Sequence, residues 1–179
     1  DLHWQDMAAV VRLGMRHLEQ RVPGGPLYII GYSTGATLAL DYVIDAARSD
    51  ALTRQAQADP KPKLPPVTKL VLISPAIGVS PAAMLAKWGS RAALLPGLDR
   101  LAWLDLEPEF DPYKYNSFAT NAAEQVYELT QSVAKRIATR SDADPPLPPI
   151  LILKSTVDAT VSNNAVVDRL LLKLAPERH

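Results

Sequence analysis

Three short apolar runs constrain this chain most: Leu27 to Ile30 (LYII), Lys69 to Ile73 (KLVLI) and Ile150 to Leu153 (ILIL). None alternates apolar with polar residues, so each is expected to be a strand buried on both faces. Between them lie stretches of helical periodicity. Trp4, Met7, Ala8, Val11, Met15 and Leu18 share one stripe, which predicts a helix over 4–21, ended by Pro23-Gly24-Gly25-Pro26. Residues 34–48, with Ala36, Leu38, Ala39, Leu40 and Val43, favour a second helix. Val166, Val167, Leu170, Leu171 and Leu174 mark another over 162–174. Strands that alternate with helices predict an α/β fold: a parallel sheet, flanking helices and right-handed crossovers. The 16 prolines gather in links such as 59–66 and leave the strand interiors free, as their missing N–H requires.

Residues 75–145 read as an insertion, with 1–74 and 146–179 forming the α/β core. Ser80-Pro81 is a suitable cap and first-turn pair for a helix to about residue 95. Asn121 with Glu124 resembles a capping box ahead of Val126, Leu129, Val133 and Ile137, which fall at helical spacing. A mostly helical cap over the end of the sheet is expected.

Composition narrows the function. Lys plus Arg and Asp plus Glu are each 19, so net charge is zero. No basic block interleaves with aromatic residues, which argues against nucleic acid as a partner. No apolar run approaches the roughly 20 residues of a transmembrane span. With no cysteine and three histidines, scattered at positions 3, 17 and 179, neither a thiolate nucleophile nor a zinc site is expected. Cytoplasmic localisation is the default expectation. Oligomeric state is open.

The chemistry concentrates in Gly31-Tyr32-Ser33-Thr34-Gly35, where the first strand gives way to the second helix. That setting defines a nucleophile elbow. Ser33 is expected in a strained conformation, with its hydroxyl standing above the sheet. A Cβ at position 31 or 35 is expected to collide with its surroundings. The Thr34 N–H, at the positive end of the helix, is placed to bind a developing oxyanion. The plainer alternative is a serine that only caps the helix; that role needs neither glycine.

This GYSTG stretch, the insertion and the late strand followed by an aspartate resemble the α/β-hydrolase superfamily, and within it capped esterase, lipase and lysophospholipase-like members. The resemblance implies the chain order serine, acid, histidine. Asp158 follows the third strand and matches the acid, although Ser155 stands where a glycine is common. The alternative is a polar loop aspartate capping helix 162–174. The histidine matches poorly. Helix 162–174 runs about 20 Å back down the sheet, which carries His179 to the wrong end. His17 descends likewise, and His3 belongs to an outer layer. No loop before residue 23 resembles a second oxyanion donor. The chain is therefore expected to be part of a longer hydrolase, with its base outside these residues.

The resemblance implies a serine hydrolase of carboxylic esters that needs no metal or organic cofactor and acts on a small-molecule ester. Met84, Trp88 and Trp103, with neighbouring leucines, make the insertion apolar, which suits acyl or alkyl groups equally with packing among cap helices. Thioester or peptide cleavage uses the same machinery. A non-catalytic binding domain that kept the serine and lost the base is the reading from a different class.

Overall fold

The computed structural model describes residues 3–55, 63–77, 97, 100, 103–105, 112, 117–141 and 143–154. The elements are α1 (Trp4–Arg21), β1 (Tyr28–Tyr32), α2 (Thr34–Gln55), β2 (Lys69–Ile73), β3 (Trp103–Asp105), β4 (Phe118–Ala119), α3 (Thr120–Ala138) and β5 (Ile150–Leu153). Strands β1, β2 and β5 form a parallel sheet in the order β1-β2-β5. Strand β1 is thus an edge of the described sheet. The crossovers run through helices, as parallel neighbours require. The expected α/β class is the observed one.

One face of this sheet is covered. Ile29, Leu70, Leu72, Ile150 and Ile152 point to the helices and join the core, with Leu70 and Leu72 fully buried. Helix α2 packs on β1 and β2, and α1 and α3 pack beside it. Burying each such leucine stabilises the fold by about 1.5–3 kcal/mol. The other face is bare. Tyr28, Ile30 and Tyr32 of β1 and Leu151 and Leu153 of β5 are exposed, Ile30 at 71%. Burial therefore alternates along these strands. The expectation of strands buried on both faces is corrected: among the described residues, only one side is packed by helices.

Helix α1 matches its expected span. Ala8 and Met15 are buried, and Trp4, Met7 and Val11 pack partly against the core. Leu18 departs from the expected stripe and is 47% exposed, because it lies in the last turn, beyond the packed part of the helix. The Trp4 N–H donates to Gln125 Oε1 at 2.9 Å, which ties the start of α1 to α3.

Helix α3 lies within the stretch expected to cap the sheet. It packs against α2 and α1, with Leu129, Val133 and Ile137 in the core. Three of the four residues of its expected stripe are buried, Val126 being only half-buried, and the Asn121–Glu124 capping box is not formed. The helix starts at Thr120 with Ala119 as N-cap, so Asn121 already sits inside the first turn. The short antiparallel pair β3 and β4, with a register irregularity between Trp103 and Asp105, was not expected. The helix expected over 81–95 lies outside the described residues.

Charges lock the three helices together. Arg136 of α3 bridges Asp41 and Asp45 of α2, and Arg12 of α1 meets Asp45 at 3.3 Å. Asp41 is almost fully buried. Burial raises its pKa above 3.8, while the Arg136 guanidinium pulls the other way. At the next residue, the buried Tyr42 hydroxyl donates to the Pro65 carbonyl at 2.8 Å. Burial raises its pKa and the Glu19 carboxylate adds to the shift, so it stays a neutral donor.

Candidate active site

Ser33 is the single residue between the end of β1 and the start of α2. Its φ is 51°, in the left-handed region that a residue with a Cβ seldom occupies. An ordinary helix N-cap is extended, so capping does not account for this conformation. The turn is closed by backbone. The Ser33 N–H donates to the Ile73 carbonyl at 2.9 Å, which keeps it tied to β2. The Ser33 carbonyl accepts from the N–H groups of Ala36 at 3.1 Å, Thr37 at 3.4 Å and Ala76 at 3.2 Å.

The two glycines prove unequal. A Cβ at Gly31 would lie 2.5 Å from Ala36 Cα and 2.8 Å from both Ala36 N and Gly35 O. These are backbone atoms that cannot swing aside, so the strand meets the helix this closely only with glycine at 31. A Cβ at Gly35 would meet no atom within 4 Å. The expected collision at 35 is corrected: Gly35 lies on the exposed side of the first helical turn.

Around the turn, Ser33 and Thr34 are half-buried and Tyr32 is 70% exposed. Thr34 opens a helix of 22 residues whose first turn holds no acidic side chain. Nothing there offsets the positive end of the helix, which favours an anion.

Beside it, Ser74 follows β2 just as Ser33 follows β1, since Tyr32 pairs with Ile73 in the last register step. Ser74 is also left-handed, at φ 43°, and its N–H donates to the Leu153 carbonyl at 2.8 Å. Residues 74–77 then cross the turn at Ser33. Ala76 donates to the Ser33 carbonyl, and the buried Thr37 hydroxyl donates to the Ala76 carbonyl at 3.1 Å. The sequence pointed to neither Ser74 nor Thr37. Ser-Pro after a strand was the only available signal.

Asp158, Met84, Trp88 and His179 lie outside the described residues. Trp103 sits on β3 and is exposed. His3 precedes α1, where its backbone N–H donates to the Asp6 carboxylate at 2.9 Å. His17 is exposed on α1. Among the described residues no cluster of acidic and histidine side chains could hold a metal ion, and no helix is long and apolar enough to cross a membrane.

The fold has known counterparts. A monoacylglycerol lipase from Paleococcus ferrophilus, solved by crystallography, superposes with a TM-score of 0.60 at 16% identity, over 99% of this chain. The chain spans 63% of that lipase's length. No curated protein matches in sequence. A family model described as "Alpha/beta hydrolase family" matches residues 1–178. With that match over the parallel sheet and its flanking helices, the chain belongs to the alpha/beta hydrolase family.

Proposed function

We propose that the chain carries the nucleophile and the acid of a serine hydrolase acting on carboxylic esters with acyl or lipid-like groups. One observation carries this reading above the others: Ser33 is held left-handed between a strand and a helix that only Gly31 lets approach so closely. That geometry fits a nucleophile elbow, in which Gly31, Tyr32, Thr34 and Gly35 frame the serine.

The mechanism follows from acyl-transfer chemistry. Ser33 Oγ attacks the ester carbonyl and forms the new C–O bond. Its proton passes to a histidine that Asp158 orients. The Thr34 N–H and the positive helix end bind the oxyanion. The tetrahedral carbon then expels the alcohol, which takes the proton back from the histidine. Water, deprotonated by the same histidine, releases the acid and restores Ser33. The histidine is proposed to come from outside these 179 residues, a reading compatible with a chain that spans 63% of the lipase's length. Trp103, with Met84 and Trp88, is proposed to line the acyl pocket. The similar fold of a monoacylglycerol lipase makes monoacylglycerols the first esters to test.

A fluorophosphonate probe tests the assignment on the protein with its complete natural sequence. The wild type is expected to be labelled, with fluoride displaced by Ser33 Oγ, and Ser33→Ala to be blank. Labelling that survives the substitution refutes the nucleophile. Turnover of matched ester, thioester and amide substrates then separates esterase from thioesterase and peptidase activity.

A further inference from the structure

Building on the nucleophile reading of Ser33, we infer that Thr37 is a positioning residue: its buried hydroxyl holds the 74–77 segment against the elbow and so fixes Ser33 relative to the sheet. Three N–H groups converge on the Ser33 carbonyl. Two of them, from Ala36 and Thr37, belong to the helix that Ser33 itself begins. They would form at almost any helix start and orient Ser33 only with respect to α2. The third, from Ala76, comes from the neighbouring strand's loop. It is the bond that ties the carbonyl to β2 and β5.

Ala76 donates from the peptide it shares with Pro75 and accepts on the following peptide, so a bond to its carbonyl restrains the residue from its other side. Its carbonyl is gripped by Thr37 Oγ1 at 3.1 Å, and Thr37 is 0% exposed. A threonine inside a helix usually turns its hydroxyl back to the carbonyl four residues earlier. Here that carbonyl belongs to Ser33 and already has its three donors. The hydroxyl reaches across instead, closing a ring through Ser33, the first turn of α2, Thr37 and Ala76. At the start of the segment, the left-handed Ser74 is anchored by its N–H on Leu153 of β5. Strained backbone of this kind persists only where its surroundings over-determine it. Both left-handed serines border this one strap.

The test compares Thr37→Val, which keeps the shape and removes the hydroxyl, with Thr37→Ser, which keeps the hydroxyl and removes a methyl. Ester turnover and the rate of fluorophosphonate labelling are measured on the protein with its complete natural sequence. Thr37→Val is expected to lose about tenfold or more in kcat and in labelling rate with KM little changed, because a displaced nucleophile costs rate more than binding. Thr37→Ser is expected to recover most of that loss. Equal losses in the two variants would assign Thr37 to packing alone and overturn the inference. So would wild-type rates in Thr37→Val alongside a dead Ser33→Ala, an outcome that leaves the nucleophile reading intact. An unlabelled wild type defeats both. Should Thr37→Val fail to fold, amide exchange in the wild type decides: Ala76 N–H is expected to exchange as slowly as the β2 amides, and exchange at the rate of an open loop overturns the strap.

Discussion

At the scale of single residues, Gly31 and Gly35 look alike in the motif and differ in the fold. A methyl group at 31 has to displace the backbone of Ala36 and Gly35, which lie under 3 Å away. Gly31→Ala is therefore expected to lose about 1–3 kcal/mol or more, as overpacking against immovable atoms does. Gly35→Ala enters open space inside a helix, where alanine is favoured over glycine by up to about 0.5–1 kcal/mol. It is expected to hold or raise stability. Urea denaturation of the two variants checks the pair, and a Gly35→Ala variant as damaged as Gly31→Ala would contradict the geometry. The sequence made Ser33 legible because glycines at fixed offsets signal a tight turn. It hid Thr37 and Ser74, whose roles rest on bonds between distant strands and on a backbone angle that no periodicity encodes.

At the scale of elements, the helices' positions were readable and their partners were not. The stripe of Leu129, Val133 and Ile137 located α3, but the stripe alone does not say which surface receives it. The charged residues do: Arg136 reaches Asp41 and Asp45 on α2. Arg136→Met leaves the buried Asp41 without its main counter-charge and is expected to cost about 3–5 kcal/mol. Asp41→Asn removes the buried charge itself and is expected to cost less. The pH dependence follows from the direction of the Asp41 shift. Its folded pKa lies above 3.8, chiefly through burial, so the folded state binds this proton more tightly than the unfolded state does. Below pH 3.8 both states are protonated and Asp41 carries no ionisation penalty. As pH rises from there through the folded pKa, wild-type stability falls by that penalty and then levels. The stability of Asp41→Asn minus that of wild type is therefore expected to grow across this window. Guanidinium melts of both proteins at successive pH values measure it, and a difference that shrinks as pH rises would show that Arg136 outweighs burial.

At the scale of the whole molecule, element order was the most legible property and the fate of each sheet face the least. Apolar runs 27–30, 69–73 and 150–153 located the three parallel strands among the described residues. They could not show which face is covered, because coverage depends on elements elsewhere in the chain and not on the strand's own residues. The bare face is continuous. Ile30, Val71 and Leu151 are register partners in one row, and Tyr32, Ile73 and Leu153 in the next. Soluble monomers seldom leave contiguous apolar patches larger than a few hundred Å², and β1 adds an unpaired edge among the described strands, open to pairing. The 179 residues expressed alone are therefore expected to bind the dye ANS and to sediment as more than monomer. Ile30→Thr combined with Leu151→Thr takes one apolar side chain from each outer strand of the middle row and leaves the helix-facing core untouched. It is expected to lower dye binding and shift sedimentation towards monomer without lowering the unfolding free energy measured in urea by more than about 1 kcal/mol, roughly 0.5 for each exposed site. If the wild-type 179 residues stay monomeric and dye-free at high concentration, this face is already covered, and the exposure on which the expectation rests would be wrong.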